Sequence, residues 1–263
     1  MPDTLPRIYG PLAADDQGPP AARPPLLLIH GLTFDRRQWA PVLQELDPGV
    51  RAVAVDLPGH GASAPRDAYD LGGVIDAIHE AATAAGLDAP VVVGHSLGGA
   101  LATTYAAHHP VRGVVNVDQA LRVGPFADVL RQAEPILRSP HWERIWQRLL
   151  DGMGIDELSD EAQRLVHTAA TPRQDLLLGY WGEVLTVPVD ELDAQRVAEL
   201  RTIHGRGVPY HYVTGAEPHP RYRAWLEAAI PSVAVTVLPD SGHFPHLAQP
   251  TAVARIASAT AAG

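Results

Sequence analysis

The sequence predicts an α/β fold: a mostly parallel central sheet with helices on both faces and a helical cap insertion. Three observations carry this. Continuous apolar runs, Leu26-Leu27-Leu28-Ile29 and Val91-Val92-Val93, read as strands buried on both faces. They alternate with longer stretches of helical period, the pattern of a parallel sheet built from crossovers. One helical stretch, about 125–206, interrupts that alternation without a strong strand. The expected organisation is a core domain of residues 1–118 and 207–263 bearing a cap of residues 119–206.

In order, a short strand is expected near Arg7 to Gly10, and the Pro/Gly/Asp-rich stretch from Pro11 to Pro25 reads as a loop. Leu26 to His30 is the first buried strand, followed by a helix near Arg37 to Leu46 and a strand from Arg51 to Asp56. Apolar Leu71, Val74, Ile75, Ile78 and Ala82 recur at helical spacing, so a helix spans about Leu71 to Ala85. The strand Val91 to Val93 leads into a helix from Leu97 to His109, which Pro110 stops. Gly113 to Val117 is a strand ending at Asp118. After the long helical stretch, strands at Val208 to Thr214 and Val233 to Leu238 alternate with helices at Pro220 to Ile230 and Ala248 to Ala262.

Composition excludes several classes of function. The net charge is −10, from 20 cations that are all arginine and 30 acids, which leaves no basic footprint for nucleic acid or an anionic membrane. There is no cysteine, hence no disulfide framework and no thiol nucleophile. No apolar stretch reaches the roughly eighteen residues of a membrane span, and Met1 to Arg7 has no signal-peptide character. A cytoplasmic protein acting on a small molecule is expected, with its oligomeric state open. The histidines show no metal-ligand spacing and there is no phosphate-binding glycine loop, so neither a metal nor another cofactor is expected.

The chemistry concentrates at Gly94-His95-Ser96-Leu97-Gly98. With 23 glycines in 263 residues, chance would supply roughly 0.05 patterns of this kind. A serine at a sharp strand-to-helix turn presents its hydroxyl, and the flanking positions must be small because strand and helix pass closely. Serine is a poor nucleophile at neutral pH and needs an imidazole to take its proton and return it to the leaving group. His243 is the preferred imidazole, because Pro239-Asp240-Ser241-Gly242 forms a loop directly after the last strand.

Three stretches in this order, His30-Gly31, Gly94-His95-Ser96-Leu97-Gly98 and Gly242-His243-Phe244, together with Asp56-Leu57-Pro58-Gly59-His60-Gly61, resemble the α/β-hydrolase family over nearly the whole chain. The resemblance implies Ser96 as nucleophile, His243 as base and the backbone N–H groups of Leu32 and Leu97 as oxyanion hole. Most of the family would put the acid after the strand Val208 to Thr214, where Gly215-Ala216-Glu217-Pro218 places a proline beside Glu217. Asp118, at the alternative acid position of some members, is therefore the expected partner of His243, with Glu217 as the alternative. His30, His60 and His95 are expected to act structurally.

Substrate selection is expected from Thr33, Phe34, Phe126, Trp142, Trp146, Tyr180, Trp181 and Phe244, which together suggest an apolar pocket. The leading expectation is hydrolysis of a carboxylic ester or lactone through an acyl-enzyme. Two alternatives stand beside it: a non-hydrolytic enzyme of the same fold (cofactor-free oxygenase, lyase or perhydrolase), in which His243 deprotonates the substrate, and a ligand receptor that retains the triad. Serine rather than aspartate at the elbow disfavours the alkyl-enzyme chemistry of dehalogenases and epoxide hydrolases.

Overall fold

A computed structural model describes residues 5–19 and 23–262. Eight strands form one sheet: β1 (Arg7–Tyr9), β2 (Leu12–Gln17), β3 (Leu26–Ile29), β4 (Ala52–Val55), β5 (Val91–His95), β6 (Gly113–Val117), β7 (Tyr210–Thr214) and β8 (Ala234–Val237). Their order is β1-β2-β4-β3-β5-β6-β7-β8. The β1–β2 and β2–β4 pairs are antiparallel and every other neighbour pair is parallel.

The continuous apolar runs follow from the pleat. Leu26 and Leu28 of β3, with Val91 and Val93 of β5, enter the core on one face. Leu27, Ile29 and Val92 enter the core on the other. Because successive side chains point to opposite faces and both are covered, Leu26 to Ile29 and Val91 to Val93 are apolar at every position. Helices α1 (Ala40–Glu45) and α12 (Pro250–Ala262) cover the first face, with Trp39, Val42 and Val253 buried between them and the sheet. Helices α2 (Leu71–Ala84) and α3 (Leu97–His108) cover the second. The side chain of Asp70 caps α2 by accepting from Gly73 N at 2.8 Å.

Strand β2 lies where the sequence reads as loop, within Pro11 to Pro25. Dense turn residues on both sides mask a strand whose polar half is stabilised from outside. Asp16 pairs with Arg51 at 3.0 Å and Arg7 at 3.1 Å, and Asp15 pairs with Arg36 at 3.0 Å. The stretch expected to be helical resolves into α4 (Gly124–Leu137), α5 (Glu143–Asp151), α6 (Asp160–Thr168), α7 (Gln174–Tyr180), α8 (Gly182–Thr186) and α9 (Val189–Gly205), all between β6 and β7. The last of these lies along α3 and so also belongs to the layer over the sheet. Two further helices, α10 (Pro220–Ala229) and α11 (Pro245–Ala248), flank β8 in the chain. Among the described residues no helix is long and apolar enough to cross a membrane.

Strand order reverses at β3: the chain moves from it to β4 on one side, then to β5 and onward on the other. A crevice opens at the carboxyl ends of strands at such a reversal, where open α/β sheets bind ligands. Leu32 follows β3 there, and Ser96 follows β5.

Candidate active site

The β5–α3 turn holds Ser96 at φ 51° and ψ −126°, a conformation that a non-glycine residue adopts only when its surroundings over-determine it. Those surroundings are visible. The Ser96 N–H donates to Val117 O at 2.9 Å, and Ser96 O accepts from Gly99 N at 2.7 Å. A Cβ on Gly94 would lie 1.9 Å from Gly98 O, and one on Gly98 would lie 2.3 Å from Ile29 O. Both glycines are required by close backbone approach.

At the end of β6, Asp118 also has a positive φ, 55°, and its N–H donates to Val213 O at 2.7 Å. Its Oδ2 accepts from His243 Nδ1 at 2.7 Å, and its Oδ1 accepts from Thr214 Oγ1 at 2.7 Å and Gly215 N at 3.2 Å. Burial alone would raise the carboxyl pKa. The His243 bond and charge, with the Thr214 and Gly215 donors, outweigh burial and hold it below the usual carboxylate value. When Nδ1 keeps its proton and donates it as a hydrogen bond to Asp118, the lone pair of the neutral His243 ring lies at Nε2. Glu217 is not brought to His243: its side chain is 74% exposed and lies 3.6 Å from Arg223. The short β7–α10 connection keeps it on the surface.

Two motif histidines hold the turn after β3. His60 accepts from Thr33 N at 3.1 Å through Nε2 and donates to Pro58 O at 3.0 Å. His30 accepts from Leu57 N at 2.9 Å and donates to Gly31 O at 2.7 Å. Each ring therefore needs one bare and one protonated nitrogen, and burial lowers the pKa of His30 to about 4 and that of His60 to about 3. This fixes the backbone around Leu32. Leu97 is the first residue of α3, so its N–H has no intrahelical partner.

Ser96, His243, Asp118, Leu32 and Leu97 share one cavity of about 680 Å³. Of the expected selectivity residues, Phe34, Phe126, Trp146, Tyr180 and Trp181 line it. Thr33, Trp142 and Phe244 do not. Thr33 is buried under the turn, its carbonyl accepting from Thr171 N at 2.7 Å. Phe244 turns inward to pack edge-on against Phe34 at 5.8 Å. Trp142 precedes α5, and it is Trp146, four residues on, that reaches the cavity. Sequence reasoning missed Leu71, Arg122, Glu183, Leu192 and Arg196. The four-residue spacing of Leu192 and Arg196 marks one helical face, but which neighbour that face meets is a tertiary fact. Among the described residues no group of three side chains is arranged to hold a metal ion.

A parallel-rich sheet with a strained serine at its strand reversal, and an Asp–His pair on the adjoining loops, defines the α/β hydrolase class. The sequence matches the model of the Alpha/beta hydrolase family over residues 26–256, and the chain belongs to that family. It is 27% identical over 240 residues to 2-succinyl-6-hydroxy-2,4-cyclohexadiene-1-carboxylate synthase of Serratia proteamaculans, covering 89% of this chain and 91% of the relative. It is 26% identical over 253 residues to the pimeloyl-[acyl-carrier protein] methyl ester esterase of Yersinia enterocolitica, covering 88% and 90%. Among solved structures, AqDC, described as cleaving the ring of the Pseudomonas quinolone signal, superposes with a TM-score of 0.79 at 21% identity over 96% of each chain. The chain is thus similar to proteins named for a synthase, an esterase and a ring cleavage, and one fold commonly hosts several chemistries.

Proposed function

We propose that this chain is a serine hydrolase that cleaves a carboxylic ester or lactone of a small, largely apolar molecule through an acyl-enzyme. The observation that carries the reading is the 2.7 Å Asp118–His243 bond on the wall of the cavity that also holds Ser96. In this reading His243 Nε2 takes the hydroxyl proton as Ser96 Oγ bonds to the carbonyl carbon. The carbonyl oxygen gains charge and is held by the N–H groups of Leu32 and Leu97, each such donor being worth ~2.7–4 kcal/mol. Collapse breaks the ester bond, the alkoxide leaves with the proton from His243, and water then attacks the acyl-enzyme by the same route. Residues 119–206 act as the cap, supplying Phe126, Trp146, Tyr180 and Trp181 to the apolar wall. Esterase activity in a full-length relative at 26% identity supports the reading.

A second reading has His243 as the base of a non-hydrolytic reaction, with Ser96 binding substrate only. The synthase relative at 27% identity favours it. The walls favour the ester. The synthase product is by name a carboxylate, whereas both arginines lining this cavity are already paired, Arg122 with Asp193 at 3.0 Å and Arg196 with Glu199 at 2.6 Å.

The deciding experiment is labelling with a fluorophosphonate probe followed by intact mass and peptide mapping, alongside p-nitrophenyl ester turnover. Adduct at Ser96 with turnover supports the hydrolase. Folded protein that takes no label sinks that reading in favour of the second.

A further inference from the structure

His95 stands immediately before the elbow serine and is fully buried. Its Nε2 lies 2.8 Å from the backbone oxygen of His243. A carbonyl only accepts, so Nε2 carries a proton and donates. Burial, with His246 and His243 nearby, lowers the pKa of His95 well below the ordinary value, so the ring is neutral and its lone pair is on Nδ1. That nitrogen faces Gly31: a Cβ on Gly31 would come within 3.1 Å of His95 Nδ1 and 3.2 Å of Ser96 Cβ. One imidazole thus touches the turn bearing Leu32, adjoins Ser96 in the chain, and holds the loop bearing His243.

We infer that His95 is a positioning residue: its Nε2–H bond to the His243 carbonyl sets where the base sits relative to Ser96. The inference rests on the hydrolase reading. His243 has three anchors, namely Asp118 on its ring, Met153 O on its N–H at 2.9 Å, and His95 on its carbonyl. The first fixes the ring's tautomer and its direction. The other two fix the peptide from which the ring extends, and only His95 ties that peptide to the residue next to the nucleophile. A misplacement of about 1 Å between reacting groups can cost a factor of about 10² in rate.

Two amide variants isolate the bond from polarity and burial. Glutamine carries an N–H donor about as far from the backbone as His95 Nε2, whereas asparagine falls short of the carbonyl. His95→Asn should lower kcat and the rate of Ser96 phosphonylation by 10- to 100-fold with KM within about twofold, and His95→Gln should stay within about fivefold of the parent. Melting temperatures of the two variants should be similar. A folded His95→Asn protein with parental rates, or equal impairment of both variants, overturns the inference.

If neither variant folds, nitrogen-15 NMR of the parent decides. It should show the His95 ring as the Nε2–H tautomer with a slowly exchanging proton, and an Nδ1–H tautomer overturns the inference. A parent that neither labels nor turns over esters removes the hydrolase reading, while the tautomer still tests the His95–His243 bond.

Discussion

Asp118 and His243 lie 125 residues apart in the chain and meet at 2.7 Å, one at the end of β6 and the other in the loop after β8. A carboxylate so placed accepts a hydrogen bond from Nδ1–H and would stabilise an imidazolium formed during catalysis. Asp118→Asn should therefore lower kcat by up to ~10⁴ with little change in melting temperature, while Glu217→Gln should leave kcat within twofold. Steady-state kinetics on one p-nitrophenyl ester check both, and the reverse pattern would transfer the role to Glu217.

The conformation of Ser96 makes two substitutions informative. Ser96→Ala should abolish esterase activity with an unchanged fold, because only the attacking oxygen is lost; turnover within tenfold of the parent would rule out the nucleophile. Ser96→Gly should be equally inactive yet more stable than Ser96→Ala by about 1 kcal/mol, since glycine accepts a φ of 51° without strain. Urea unfolding of the two variants measures the difference.

Stability should depend on pH through the buried rings. Burial lowers the pKa of His30 to about 4 and those of His60 and His246 to about 3, against an ordinary 6.5. Below about 6.5 the unfolded chain binds protons that the native state refuses. Their contribution is thus complete above about 6.5 and declines as pH falls toward 4, each ring costing roughly 1 kcal/mol per pH unit. Urea midpoints should fall steadily from pH 6.5 to 4.5, and a constant midpoint over that range would contradict the assignment.

Phe126 and Trp181 meet edge to face at 5.7 Å on the cavity wall, while Trp142 lies outside it. Trp181→Ala should shift the preferred acyl chain length upward by two or more carbons in an ester series. Trp142→Ala should leave that preference unchanged. An identical response from both would show that Trp181 does not line the substrate pocket differently from Trp142.

Wall charge makes a separate prediction about the substrate. Glu157 and Glu183 line the cavity without an ion-pair partner among the described residues, and both lining arginines are paired. An ester ending in a carboxylate should have a kcat/KM at least tenfold below its methyl-capped counterpart at low salt. The gap should narrow in Glu183→Gln and at higher ionic strength, where exposed charges are screened. Faster turnover of the carboxylate would refute this.

The sheet and the elbow were legible because their constraints are local. Runs such as Val91 to Val93 are apolar at every position only when both faces are buried, and Gly94 and Gly98 are spaced by the turn itself. Asp118 was legible as the residue ending the strand Gly113 to Val117, its candidacy as the acid resting on the family resemblance. Strand β2 was not, because its polar half pairs with arginines outside the strand: Asp15 with Arg36, and Asp16 with Arg51 and Arg7. The cavity wall was only partly legible: aromatic residues were visible as such, but whether Phe244 faces substrate or core depends on the packing of Phe34 across the sheet edge. The sequence leads to a structural role for His95 but does not name its partner, a backbone oxygen 148 residues away.

The His243 N–H donates to Met153 O, and a Cβ on Gly242 would lie 2.5 Å from that same oxygen. The segment between α5 and α6 is therefore seated directly on the loop that carries the imidazole. Exchange of the region between β6 and β7 for that of a distant homologue, a natural route to new selectivity, has to preserve one backbone carbonyl at this spot. A graft that fills the pocket well but moves Met153 would alter what the cavity accepts and at the same time displace His243.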